Sequence, residues 1–294
     1  MIDKLALVGS SRGRIQAVIE LWHAAAAAVQ PPSAQEPRAI EPPKAYEHAA
    51  AAPFLGMSMY WGPLFRNTPA VRFECNPSRF DDGITSDVGR ETVALMGLKT
   101  GKVTRVDVAV DYDGIQAREV HAGLLKARKR SSWCNGDEGD GFHVGSRSSE
   151  TMLRGYDRRT PQRTFRLEAA VKPGRGGRTI LLPDLERLPD PFDTAELWTA
   201  ANAVPIGVSS LVSAFLSRAR EIGISRVIDE MAGDASSACL VPELLATLER
   251  PAFRVLDHPS MAFTADFVGA ARAAVELLSS PERPSHFMTA GDCR

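Results

Sequence analysis

No stretch of this chain approaches the ~18–20 consecutive apolar residues that a membrane-spanning helix needs. Its four cysteines, Cys75, Cys134, Cys239 and Cys293, lie far apart, with no CxxC pair and no histidine pair beside them. That spacing argues against a zinc motif or a disulfide framework and fits reduced cytosolic thiols. The opening residues, "MIDKLALVGSSRGRI", lack the basic-then-apolar order of a secretory signal, so a cytoplasmic location is expected. "GLKTGKVT" has three residues between Gly97 and Gly101 where a phosphate-binding P-loop needs four, and it runs into a strand. Nucleotide binding of that type is set aside. No internal repeat is visible.

Charge of one sign is also missing: the net charge is −1. Its distribution is uneven, however. Residues 101–178 carry 16 Lys and Arg against 10 Asp and Glu, while the rest carry 19 against 26. A basic middle third suits either an ordinary solvated face or a surface for an anionic partner. A hydrophobic share of 44% with 24% charged residues is globular, and 294 residues suffice for one large domain or two ordinary ones.

"MIDKLALVG" reads as a strand, followed by a helix with Ile15, Val18, Ile19 and Trp22 on one face, which the alanine run ends. Residues 30–45 are proline-rich and read as a linker or exposed loop. Residues 57–80 suggest a hairpin, and 87–96 a helix capped by Ser86 or Asp87 and stopped by Gly97. "VTRVDVAVDY" alternates strictly, with Asp107 and Asp111 on the face opposite Val106, Val108, Val110 and Tyr112. "IQAREVHAGLLKARKR" suggests an amphipathic helix whose end carries Lys126, Arg128, Lys129 and Arg130, a second DNA-contact candidate or a solvated terminus. "SSWCNGDEGDGFHVG" suggests a hairpin. "RTFRLEAAVK" is a strand with Arg166, Glu168, Ala170 and Lys172 opposite Phe165, Leu167 and Ala169. Helical periodicity then covers 193–202, 208–222, 226–231, 242–249 and 262–279. The expectation is an α+β domain over 1–188 and a helical C-terminal region over 189–294.

The two middle strands carry the chemistry. Asp107 and Asp111 are four residues apart, roughly 13 Å along a straight strand, with only Ala109 between them. If Glu168 lies on a neighbouring strand, small alanines leave room above the sheet. Oxygen ligands of this kind suit Mg²⁺ or Mn²⁺. The alternative is a set of salt bridges to Arg105, Arg166 or Lys172. Between the strands runs "GSRSSETMLRGYDRR", where Tyr156 sits among Arg147, Arg154, Arg158 and Arg159. A phenol with a pKa of ~10 needs a metal or a cationic field to act as a nucleophile. These arginines supply such a field and, with Lys172, are candidates to hold phosphate oxygens. The alternative for Tyr156 is a cation–π packing contact. Trp61, Trp133 and Phe142 are candidates either for stacking bases or for core packing.

Taken in order, "VTRVDVAVDYDG", "GFHVGSRSSETMLRGYDRR" and "RTFRLEAAVK" resemble the Rep_trans family of rolling-circle replication initiators. The family pattern is a "TRxDxAxD" strand, a "GSRxSxxxxRxYDK" segment and a strand with an "RxE" motif. The matching segments span about residues 103–172, and "FECNPSRF" and "IDKL" are more loosely similar to phage members. The resemblance implies that Tyr156 is the nicking tyrosine and that Asp107, Asp111 and Glu168 stand at the family's acidic positions. Arg158 replaces the usual Lys. No histidine of the six forms a His-hydrophobe-His motif, which excludes the histidine-metal type of nicking enzyme. The implied fold is a central antiparallel sheet with helices on one face and carboxylates on the other. The implied activity is metal-dependent, site-specific nicking of origin DNA, single-stranded or extruded at the nick, through a 5′-phosphotyrosine intermediate. Partners would be a host helicase and polymerase, with the chain acting alone or as a homodimer and no membrane involved. The alternatives are a non-catalytic origin- or operator-binding protein and a relaxase-like mobilisation nickase.

Overall fold

Alternating apolar residues, such as Val106, Val108 and Val110 or Phe165 and Leu167, place much of the chain to residue 171 in strands. The structure, a computed structural model, describes residues 1–10, 14–80, 83–113, 117, 120–124, 130–135, 139–146, 148–158, 164–193, 195–199, 214–215, 218–219, 222, 224–234, 237–238, 241, 253–254 and 267–279. The strands are β1 (Ile2–Gly9), β2 (Arg38–Ala39), β3 (Tyr46–Ala52), β4 (Met57–Pro63), β5 (Val71–Cys75), β6 (Lys102–Asp113) and β7 (Val120–Leu124). They continue as β8 (Arg130–Asn135), β9 (Gly139–Val144), β10 (Thr151–Arg158), β11 (Thr164–Val171), β12 (Ile180–Leu181), β13 (Ala195–Thr199) and β14 (Phe253–Arg254). Among the described residues the α-helices with defined bounds are α1 (Ile15–Val29), α2 (Gly83–Leu95), α3 (Ile224–Gly233) and α4 (Phe267–Ser279). The α+β class expected from the sequence is what the chain adopts.

The chain divides into two compact units, each built from more than one stretch of sequence. Unit 1 takes residues 1–107, 172–189 and the segment from Phe267, and unit 2 takes 108–171 and 190–266. In unit 1 the strand order is β2-β3-β4-β5-β1-β6, with β12 pairing the start of β6. In unit 2 the second half of β6 is followed by β11, β10, β9 and β8, and a separate sheet runs β14-β13-β7. Pairs with a defined register are antiparallel. Counting β1–β5 in one unit and β6, β8, β9, β10 and β11 in the other, and leaving out β7 of the separate sheet, both orders run first, fifth, fourth, third, second.

In unit 1 the core face of the sheet carries Leu5, Leu7, Met59, Phe73 and Val71, all buried. Trp22 of α1 is fully buried and donates its indole N–H to Thr92 of α2 at 3.0 Å, tying the two helices together. The helix α4 touches α2, β1 and the 3₁₀ segment at 182–187. In unit 2, β6 and β11 contribute Val108, Val110, Tyr112, Phe165 and Leu167 to the core. Gly155 in the middle of β10 is required there. A Cβ on it would stand 2.3 Å from Cζ of Phe142, which lies opposite on β9.

Several elements differ from the sequence reading. The alanine run does not end α1, which continues to Val29 with Ala25 and Ala26 buried; alanine has the best helix propensity of all residues. The helix α2 begins at Gly83, ahead of the expected cap, although Gly97 ends it with a φ of +66°. Residues 120–124 are a strand, not part of a helix. Val120 is fully buried there, Gly123 is a poor helix residue, and all five residues pair with β13. For the same reason 195–199 are strand where helical periodicity was expected. The alanine-rich β3 was missed because alanine is depleted in strands; pairing with β2 and β4 overrides that preference. Lys126, Arg128, Lys129, residues 242–249 and 262–266, and most of 208–222 lie outside the described residues.

Candidate active site

The register of β10 against β11 sets the site. Arg154 stands opposite Glu168, and Tyr156 stands opposite Arg166. Side chains two apart share a face, so all four project to one side of the sheet, away from Leu153, Gly155 and Leu167. Asp111 of β6 projects to the same side, because Arg166 reaches it with two parallel bonds: Nε to Oδ1 at 2.7 Å and Nη2 to Oδ2 at 2.8 Å. Arg158, two residues beyond Tyr156, adds a third bond to Asp111 Oδ2 at 3.1 Å.

Glu168 is 4% exposed. Its Oε2 accepts a bond from Arg154 Nη2 at 2.6 Å and one from the Tyr156 hydroxyl at 3.3 Å. The Arg154 guanidinium also lies over the Tyr156 ring, 4.8 Å from its centroid. The arrangement therefore places a carboxylate that can accept the phenol proton beside a cation that favours the phenolate. Arg154 and Arg158 keep side-chain exposures of 41% each, while Arg166 is buried. Burial would lower the Arg154 pKa, but its hydrogen bond and charge contact with Glu168, then its contact with Tyr156, raise it further. Its Nε is buried without a hydrogen-bond partner. Burial alone would raise the Asp111 carboxyl; bonding to Arg166 and the charges of Arg166 and Arg158 bring it below the ordinary value.

Of the residues singled out in the sequence, Tyr156, Arg154, Arg158, Asp111 and Glu168 come together in unit 2. Asp107 lies in unit 1, 3% exposed, and Arg105 holds both of its oxygens at 2.6 Å. Lys172 follows the last residue of β11. Arg147 and Arg159 lie outside the described residues. The room expected above the alanines is not there, since Ala109 and Ala170 are 1% and 3% exposed. Glu168 is buried, and Asp111, partly exposed, is held by Arg166 and Arg158. Among the described residues no three Asp, Glu, His or Cys side chains are grouped to hold a metal ion. The hard-oxygen chemistry of Asp111 and Glu168 suits Mg²⁺ or Mn²⁺, while their guanidinium partners occupy the positions a cation would take.

Arg166 was legible in the sequence only as a salt-bridge alternative. Its bidentate clamp on Asp111 is set by β6 and β11 lying side by side. Tyr112 is 1% exposed and stacks on Phe165 at 5.8 Å; burial pushes its hydroxyl pKa up. Phe142 packs against Phe165 in the core at 6.0 Å. Ser146 bonds Ser148 at 2.7 Å and Ser149 at 3.2 Å through its hydroxyl. No helix among the described residues is long and apolar enough to cross a membrane. No family model matches the chain, and no curated protein does.

Proposed function

We propose that the Tyr156 site carries out metal-dependent, site-specific DNA nicking and strand transfer of the rolling-circle initiation type. The supporting observation is the bond from the Tyr156 hydroxyl to the buried Glu168 beside Arg154. On this reading Tyr156 Oη attacks the scissile phosphorus in line, and its proton passes to Glu168. The P–O3′ bond breaks, the O3′ leaves and takes up a proton, and the 5′-phosphate stays joined to Tyr156. Arg154 and Arg158, both half-exposed, meet the charge that develops on the phosphate oxygens. Resealing runs the same steps backwards, so the bond energy is kept. A divalent cation, Mg²⁺ or Mn²⁺, would polarise the scissile phosphate; Asp111 and Glu168 would hold it only once the arginines that now bond them have moved onto the phosphate. The substrate is origin DNA presented as a single strand, in the cytoplasm, with a host helicase and polymerase extending the released 3′ end.

A second reading keeps DNA binding without cleavage. It is favoured by the arginine pairing of each acid and by the Arg154–Tyr156 stack, an arrangement that also serves as packing. Supercoiled plasmid carrying the cognate origin separates the two. The nicking reading expects open circles with protein on the 5′ end, and Tyr156→Phe abolishes them. Undiminished cleavage by that variant would sink the nucleophile; origin binding with no cleavage by the native chain would leave the second reading.

A further inference from the structure

The two units share more than strand order. In unit 1, Tyr60 of β4 stands opposite Arg72 of β5, and Ser58 stands opposite Glu74. In unit 2, Tyr156 of β10 stands opposite Arg166 of β11, and Arg154 opposite Glu168. Both second strands therefore carry an Arg-x-Glu with a buried apolar residue between, Phe73 in "VRFEC" and Leu167 in "FRLEA". The outer neighbour of each tyrosine is also small: Ala49 on β3 and Gly141 on β9. Four positions on three strands match at the same offsets in sheets of the same order. Chance placement of a Tyr–Arg pair is ordinary; the whole pattern in the same register is not.

The unit 1 cluster has its own chemistry. Glu74 is buried, with Lys4 Nζ at 2.5 Å from Oε2 and Arg72 Nε at 2.8 Å from Oε1. Two cations on one carboxylate leave one positive charge in excess, and both cations reach solvent, with side-chain exposures of 35% and 31%. The Tyr60 hydroxyl, 3.2 Å from Ser58 Oγ, lies on the same face. Where unit 2 has Arg154 opposite its glutamate, unit 1 has Ser58, and among the described residues no cation lies over the Tyr60 ring. The parts that would bind a phosphate persist, while those that bring a cation to the phenol do not.

We infer that the chain is an internal duplication whose first copy keeps a phosphodiester-binding site at Lys4, Arg72 and Tyr60, holding single-stranded DNA without cleaving it. This rests on the nucleic-acid reading of Tyr156. Lys4 and Arg72 meet the phosphate oxygens, Glu74 fixes their positions, and the Tyr60 hydroxyl donates a further bond.

The test is anisotropy of the full chain with a labelled single-stranded oligodeoxynucleotide of about 20 nucleotides, titrated with salt. Lys4→Gln leaves Arg72 on Glu74; it should weaken binding about threefold to tenfold at low salt and make the slope of log affinity against log salt shallower by about 0.7. Tyr60→Phe should weaken binding without changing that slope, because it removes a neutral donor. Native affinity and slope in both variants would overturn the second site and leave the Tyr156 reading standing. If Lys4→Gln fails to fold by circular dichroism, unchanged affinity in Tyr60→Phe alone overturns it. No binding by the native chain would overturn the nucleic-acid reading itself.

Discussion

The Tyr156 hydroxyl donates to Glu168 Oε2 at 3.3 Å, and the same oxygen receives Arg154 at 2.6 Å. One carboxylate oxygen thus serves both the phenol and the cation that lies over its ring. This shared oxygen makes the roles of Tyr156 and Glu168 separable by experiment.

Tyr156→Phe removes the hydroxyl and keeps the ring under Arg154. Nicking of origin plasmid should fall at least about 10³-fold, the scale expected when a covalent nucleophile is lost. Oligonucleotide affinity should stay within about twofold, because the arginines are untouched. Gel assays of open-circle product and anisotropy measure the two sides.

Glu168→Gln keeps the shape and removes the charge that accepts the phenol proton. The expected loss is about 10²–10⁴ in nicking rate, with strand affinity preserved or raised as one negative charge leaves the site. A rate that does not change would remove Glu168 from the proton path.

Chelation separates cleavage from binding. With EDTA, nicking should cease and oligonucleotide binding persist, and Mg²⁺ or Mn²⁺ should restore cleavage. Full nicking in chelator would remove the divalent ion from the proposal.

Acid stability should report Asp111. Burial opposes its ionisation, but bonds from Arg166 and Arg158 bring its folded pKa below the ordinary 3.8. A depressed folded value adds stability above the unfolded pKa and loses it as pH falls through the folded one. Asp111→Asn should therefore be less stable than the native chain at pH 6, and the gap should begin to close below pH 3.8 and vanish once pH falls through the lower folded value, which thermal melts measure.

Gly155→Ala drives a Cβ into the Phe142 ring and should cost about 1–3 kcal/mol. Adding Phe142→Ala should give less destabilisation than the two single changes summed, because one removes the obstacle the other meets.

The strict alternation of "VTRVDVAVDY" and "RTFRLEAAVK" made both central strands and their polar faces readable, since period two is a local property. The lone phenol among arginines marked Tyr156. What the sequence withheld was pairing. That β6 lies against β11, so that Arg166 clamps Asp111, depends on contacts 55 residues apart. The strands at 120–124 and 195–199 were hidden because each is held by its partner and not by its own propensities. The repeated Tyr–Arg–Glu pattern was invisible for the same reason: "MSMYWGP" and "TMLRGYDR" share little besides the tyrosine until their neighbours are aligned by register.

Each of the eight residues of β11 is buried, and β6 and β10 flank the strand on both sides. Backbone amides in such a strand open only when the surrounding sheet opens, so those of Arg166 and Glu168 should be among the slowest to exchange with deuterium. The carboxylate that accepts the phenol's hydrogen bond therefore rides on an element with almost no motion of its own. On the nicking reading, any adjustment that brings a strand of DNA into line comes from Tyr156, Arg154 and Arg158 on the neighbouring strand, the two arginines being half-exposed.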